Sequence, residues 1–443
     1  MFALETRNIR RKFKSVKAQT RVDLRAVPSR DALDAGHRVS GAADPNFSCV
    51  VRGFSKMFPG RRFGGGALAV YLDGQPVVDV WTGWSDRRGK LPWTADSAPM
   101  VFSATKGLAS TVIHRLADRG LIDYDAPVAE YWPEFGANGK SDLTVREVMR
   151  HHAGLSGLRG ATKEDLLDHV LMEERLAAAR PGRLLGKPAY HALTYGWLMS
   201  GLARAVTGQG MRALIREELA EPLGTDGMHL GRPPAEAPTR VTEIIMPKNF
   251  FGGPVVNCVT SKVANQLSGG FRSMYFKGMM AAVQGDIPLL DAEMPAANGV
   301  VTARALARMY GAIANGGEID GTRFLSRGIV AGLTGRPSRQ RDRNLLVPLS
   351  FHLGYHSVPF GKVMPGFGHV GMGGSFGWAD PESGLAFAYV HNRLLSPFLV
   401  LDHTGVATLG NVIRRGVAAA RKRGFQPVTE FGAPFAEPGA VAG

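Results

Sequence analysis

The chain is short of cysteine and of uninterrupted apolar runs, and each shortage narrows what it can be. Its two cysteines, Cys49 and Cys258, lie far apart and make neither a disulfide framework nor a zinc motif. They read as free thiols of a reduced compartment. No apolar run reaches the ~18 uncharged residues of a membrane span. The N-terminal "MFALETRNIRRKFKSVKAQT" has no continuous apolar segment, so it is not a standard secretory signal. A cytoplasmic or peripherally membrane-associated protein is expected. Metal and cofactor motifs are also missing. There is no H-E-x-x-H, His151 and His152 are adjacent and diverge, and "FGGGAL" at 63–68 lacks the phosphate-loop lysine and the dinucleotide fingerprint. No cofactor and no metal are expected.

Acidic residues are scarce beside basic ones, 38 against 53, for a formal net charge of +15. The excess is uneven. Residues 1–30 hold nine Arg or Lys and two acidic residues, and "RKRG" at 421–424 adds a second cluster. Such ends are solvated tails or suit an anionic membrane surface. No zinc finger, helix-turn-helix or aromatic RNA-binding pattern accompanies them, so nucleic acid is not expected.

What is present is enough apolar residue, 44%, for a large core in two or three units. "GALAVYLDGQPVVDVWTG" (66–83) predicts a hairpin turning at Asp73-Gly74. From Ser103 to Gly120 the period becomes helical, with Leu108, Val112, Ile113 and Leu116 on one face. Thr144 is placed to cap a short helix, 194–208 and 301–317 read as helices, and 369–392 as two strands about "DPESG". A long helix with an irregular start ends the pattern. Strands at both ends around a helical middle predict an α+β protein, an antiparallel sheet flanked by helices with a mostly helical second domain. The expected partition is a basic extension over 1–45, a discontinuous sheet domain over 46–160 and 295–430, and a helical domain over 161–294. The stretch 248–292 reads as a variable flank.

In "VFSATKGLAS" (101–110), Ser103 and Lys106 stand three apart at the head of a helix and so share a face. A serine hydroxyl is a weak nucleophile until a base takes its proton, and a lysine amine serves once burial lowers its pKa. Alone, Ser-x-x-Lys is weak evidence, since an N-cap serine and a solvated lysine give the same letters. A rival nucleophile, Ser375 in "GGSFG", matches G-x-S-x-G. Its context is a glycine-rich strand followed by a turn, whereas that motif requires a strand-to-helix elbow.

"FSATKG", "LTVREVMRHHAGLSGL", "YHALTYGWLMSGLARAVTG", "PAANGVVTARALARMYGAIANGG" and "GHVGMGGSFGWADPESGLAFAYVHNR" together resemble the serine β-lactamase and penicillin-binding-protein superfamily. More narrowly they resemble the class C β-lactamase-like carboxylesterases, the family VIII esterases, from about residue 60 to about 415. The resemblance implies Ser103 as nucleophile, with Lys106 and Tyr190 moving its proton, Tyr190 acting as a phenolate or as a hydrogen-bond relay. Tyr195 is the rival tyrosine and is expected to pack. The resemblance also implies an oxyanion hole from the backbone N–H groups of Ser103 and Met372. His369-Val370-Gly371 stands where penicillin-recognising enzymes carry Lys-Thr-Gly, which makes His369 and Gly371 substrate-binding candidates. Trp378 is a further candidate, for the acyl pocket or for the core.

Two departures bear on substrate. The tyrosine triplet is Tyr190-His191-Ala192, without the usual third-position asparagine, and a histidine replaces the lysine of the third motif. Both changes favour a neutral small-molecule or lipid ester over a β-lactam. An amide-directed relative (β-lactamase, D-aminopeptidase or D,D-peptidase) and a catalytically silent membrane-associated scaffold are the competing readings.

Overall fold

A computed structural model describes residues 39–157, 160–245, 288–334, 340–358, 364–394 and 404–428. The basic stretch 1–30, Cys258 and most of 248–292 therefore lie outside the described residues.

The frame is a nine-stranded antiparallel sheet. Its strands are β1 (Ser40–Ala43), β2 (Gly65–Leu72), β3 (Gln75–Gly83), β4 (Gln340–Arg341), β5 (Pro348–His352), β6 (Tyr355–Ser357), β7 (Phe367–Val370), β8 (Phe376–Asp380) and β9 (Leu385–His391), in the order β1-β3-β2-β9-β8-β7-β6-β5-β4. The β2–β3 hairpin turns through Asp73 and Gly74 with φ of 50° and 74°, the two positive values that its right-handed twist requires. One expectation is corrected. The sheet begins at Ser40, inside the stretch read as extension, because β1 pairs along β3. The two strands expected about "DPESG" are β8 and β9, preceded in 369–392 by the end of β7 and a tight Gly-rich turn.

Strands β2 and β9 divide their side chains between two cores, mostly small on one face and bulky on the other, as the two-residue period allows. On β2, Ala67, Ala69 and Tyr71 face one core while Leu68, Val70 and Leu72 face the other. On β9, Ala386, Ala388 and Val390 face the first and Leu385, Phe387 and Tyr389 the second. The bulky face is covered by α1 (Ser48–Lys56) and α7 (Thr404–Arg423), through Val50, Phe54, Leu409 and Ile413. The "RKRG" cluster ends α7, and there Arg421 clamps the hairpin turn, its Nη2 2.6 Å from Asp73 Oδ1 and 3.0 Å from Ser383 O.

The small face admits α6 (Ala303–Ala314) close against the sheet; a Cβ on its Gly311 would lie 3.0 Å from the Tyr71 ring. Beyond α6 the same core continues into α2 (Thr105–Asp118) and α5 (Thr194–Thr207), with α3 (Val145–Met149) and α4 (His169–Ala178) at its margin. Thr144 opens α3 with a reciprocal capping box with Glu147. α2 is buried almost all round, as a helix enclosed by sheet and helices must be. Its first turn carries the chemistry.

Candidate active site

Ser103 sits in a short 3-10 turn, Phe102–Ala104, that feeds α2. The residue before it is strained: Phe102 has φ of 48°, a left-handed conformation costing an L-residue about 1–2 kcal/mol. Neighbouring bonds enforce it. Thr105 Oγ1 donates to Phe102 O at 2.6 Å and accepts from Gly299 N–H at 2.9 Å, and Val101 N–H donates to Gly299 O at 2.8 Å. Residue 299 is glycine because a Cβ there would lie 2.7 Å from Thr105 Oγ1.

Lys106 is wholly buried. Its Nζ lies 2.7 Å from Ala192 O, 3.0 Å from Ala296 O and 3.1 Å from Ser103 Oγ. Among the described residues no carboxylate pairs with it. Desolvation therefore holds its pKa well below the usual lysine value. All three contacts have Nζ as the donor, to the two carbonyls and to the serine oxygen, and burial favours the neutral form of the amine.

Tyr190 lies on a stretch without regular secondary structure, just before α5, and is buried. Its hydroxyl is close enough to Ser103 for the serine to affect its pKa, and its ring centroid lies 5.1 Å from Lys106 Nζ. Burial raises the phenol's pKa, with Asp342 adding to the rise and Ser103 opposing it. Burial thus favours the protonated phenol at neutral pH. Tyr195 is separate. It sits in the core with its hydroxyl 2.7 Å from Ser110 Oγ.

The end of β7 closes over this group. A Cβ on Gly371 would fall 2.1 Å from Val101 O, so the glycine is required where the strand end meets the segment leading into Ser103. Its lack of a side chain lets backbone meet backbone here. Met372 follows in the turn, and its N–H has no backbone partner among the described residues. Its side chain joins Met100, Phe102 and Leu394 in a small apolar cluster. His369 is buried, Nδ1 3.2 Å from Val370 O, with no partner on Nε2. Burial, then His356 and Lys106, push its pKa well down, so it is neutral.

Two candidates fall elsewhere. Trp378 is on the opposite face of the sheet, fully buried in the outer core, with Nε1 donating to Pro365 O. Strand alternation puts Gly377 and Ala379 toward the site side, so the indole packs the core and does not line the acyl pocket. Ser375 sits in the turn between β7 and β8, its Oγ accepting from His391 N–H at 3.1 Å. No helix follows it.

Sequence reasoning missed the groups that hold the site. Ala192 and Ala296 act through their carbonyls, which no side-chain motif reveals. His191, expected only as part of the triplet, is a structural brace. Its Nδ1 donates to Ala189 O at 2.6 Å, its Nε2 accepts from Leu155 N–H at 3.0 Å, and burial pushes its pKa down to about 4.

A buried amine beside a serine hydroxyl, with a phenol alongside, on an antiparallel sheet flanked by helices, is the arrangement of a serine hydrolase. The chain belongs to the beta-lactamase family, whose model matches residues 48–410. It is 75% identical over 426 residues to the esterase/beta-lactamase LipL of Mycobacterium tuberculosis (strain ATCC 25618 / H37Rv), covering 96% of this chain and 99% of that one. Among solved structures it is similar to a family VIII carboxylesterase, with 31% identity, a TM-score of 0.73, and coverage of 85% of this chain and 100% of that one. It is likewise similar to a penicillin-binding protein homolog from Caulobacter crescentus, with 31% identity, a TM-score of 0.71, and 86% and 100% coverage. These relatives put it in the esterase branch of the family.

Proposed function

We propose that this chain is a carboxylesterase that cleaves neutral esters through an acyl-enzyme on Ser103. The observation that carries the reading is Lys106, a buried amine whose other two partners are main-chain carbonyls. In this reading Ser103 Oγ attacks the ester carbonyl while its proton passes to Lys106 Nζ. The oxyanion that forms is met by the N–H groups of Ser103 and Met372, donors fixed before charge develops. The carbon–oxygen bond to the alcohol breaks, and the leaving oxygen takes a proton relayed by Tyr190. Water then attacks the acyl-enzyme, giving its proton back through the same groups, and the acid leaves. Neutral His369 offers the substrate a hydrogen bond and no cation for a carboxylate. The cluster of Met100, Phe102, Met372 and Leu394 suits a short or medium acyl chain, including that of a lipid ester. The division into a sheet domain and a helical domain is part of this reading, with the site at the seam between them.

A serine-directed fluorophosphonate should label the protein once, on Ser103, and the label should vanish in Ser103→Ala. An adduct on Ser375, or none on folded protein, would overturn the reading. A second reading is favoured by the name of the 75% identical relative: slow β-lactam hydrolysis at the same serine. Turnover of p-nitrophenyl esters well above that of a chromogenic cephalosporin is expected, and the reverse ranking would make the amide reading primary. The basic stretch 1–30 supports a peripheral property beside catalysis, attraction to anionic lipid.

A further inference from the structure

Tyr190 is supposed to relay a proton, yet no helix or strand fixes it. Residues 188–191 form an irregular strip, and two segments grip the strip from either side. On one side is the loop after α3, where Ala189 N–H donates to His151 O at 3.1 Å and His191 N–H to His151 Nδ1 at 3.1 Å. On the other is the turn between β4 and β5, 152 residues further along the chain. There Asp342 Oδ2 accepts the N–H of Tyr190 at 2.8 Å, and Asn344 Nδ2 donates to the carbonyl of Tyr190 at 2.9 Å. Arg343 N–H adds a bond to Pro188 O at 2.9 Å. The turn therefore holds both polar groups of one peptide residue.

Asp342 is an unusual choice for that task. Its carboxylate is 0% exposed, and among the described residues its partners are backbone N–H groups alone: Tyr190, Asn344 at 2.9 Å and Leu345 at 2.6 Å. An asparagine or serine would cap the turn without burying a charge. Burial pushes this carboxyl up, while the three N–H donors pull it back. The position thus tolerates an expensive group at one of the two points where the turn holds the tyrosine.

Resting on the esterase reading above, we propose that Asp342 is a positioning residue for Tyr190. With Asn344 as its partner, it fixes the tyrosine's backbone so that the hydroxyl meets Ser103. Small displacements of a reacting group can cost on the order of 100-fold in rate, so the tether is expected to act on turnover more than on binding.

The test is a double-mutant cycle in the full chain, reading kcat and KM on a p-nitrophenyl ester, with far-UV circular dichroism as a folding control. Tyr190→Phe should lose activity. Asp342→Asn should lower kcat about 10-fold or more with KM little changed, and should cost almost nothing further in the Tyr190→Phe background. Asn344→Ala removes the companion bond without touching the charge, and should show the same non-additivity if Asp342→Asn does not fold. Equal fold-losses in both backgrounds, or full kcat in folded Asp342→Asn and Asn344→Ala, would overturn the positioning role while leaving the esterase reading intact. Full activity of Tyr190→Phe would instead remove the relay itself, and the positioning role with it.

Discussion

If Lys106 is neutral in the folded protein, replacing it must change how stability depends on pH. A lysine free in the unfolded chain keeps its proton up to about pH 10.4. Buried against two carbonyls and a hydroxyl, its folded pKa is well lowered. Between those two values the unfolded state binds one more proton than the folded state. Stability from this group therefore rises with pH, by about 1.4 kcal/mol per pH unit, and the cost of the neutral amine is greatest on the acid side. Lys106→Met removes the titration and preserves most of the volume, while leaving the carbonyls of Ala192 and Ala296 without their donor. That second loss does not depend on pH. The difference in unfolding free energy, wild type minus Lys106→Met, should therefore climb from pH 7 to pH 9, by at most about 1.4 kcal/mol per unit, since every other titrating group cancels. Urea unfolding of both proteins across that range reads it directly. Parallel curves would mean that Lys106 enters the fold charged. The amine could not then be the base.

Activity should follow the same proton. With a p-nitrophenyl ester, kcat/KM should fall as pH drops through the lowered Lys106 pKa and stay level up to about pH 10, because burial keeps the Tyr190 phenol protonated beyond its ordinary range. An alkaline decline near pH 8 would contradict the relay assignment. Trp378→Ala should cost about 3–5 kcal/mol of stability, measured by denaturant unfolding, and leave the ranking of acyl lengths unchanged. A changed ranking would return the indole to the pocket. Deleting residues 1–30 should abolish co-sedimentation with anionic vesicles without changing ester turnover, and equal binding by both forms would dismiss the lipid role.

The parts of the fold that were legible in the letters are those whose signals are local. Asp73-Gly74 between two β-prone runs gave the hairpin, Thr144 the cap of a short helix, and the apolar period the helices at 194–207 and 303–314. β1 was missed because "SGAA" has no alternating apolar pattern; its place is set by β3. Trp378 was read both ways because an aromatic beside glycines looks alike on either face, and only the register with β7 and β9 decides it. At the site, Ser103 and Lys106 were marked by their spacing at a helix head, weakly on their own, and Tyr190 by the family resemblance. The bonds from Asp342 and Asn344 span more than 150 positions and end on main-chain atoms, so no motif announces them.

The two alanine carbonyls at the lysine carry a consequence for how such sites diverge. Position 296 comes close to α5 only because residue 196 is glycine, where a Cβ would lie 2.4 Å from Ala296 N. What must be inherited is therefore the course of two backbone segments, together with the gap that lets them converge. The two carbonyl contacts themselves do not depend on which side chains stand at 192 and 296. Relatives can keep the same basic nitrogen while sharing little spelling around it.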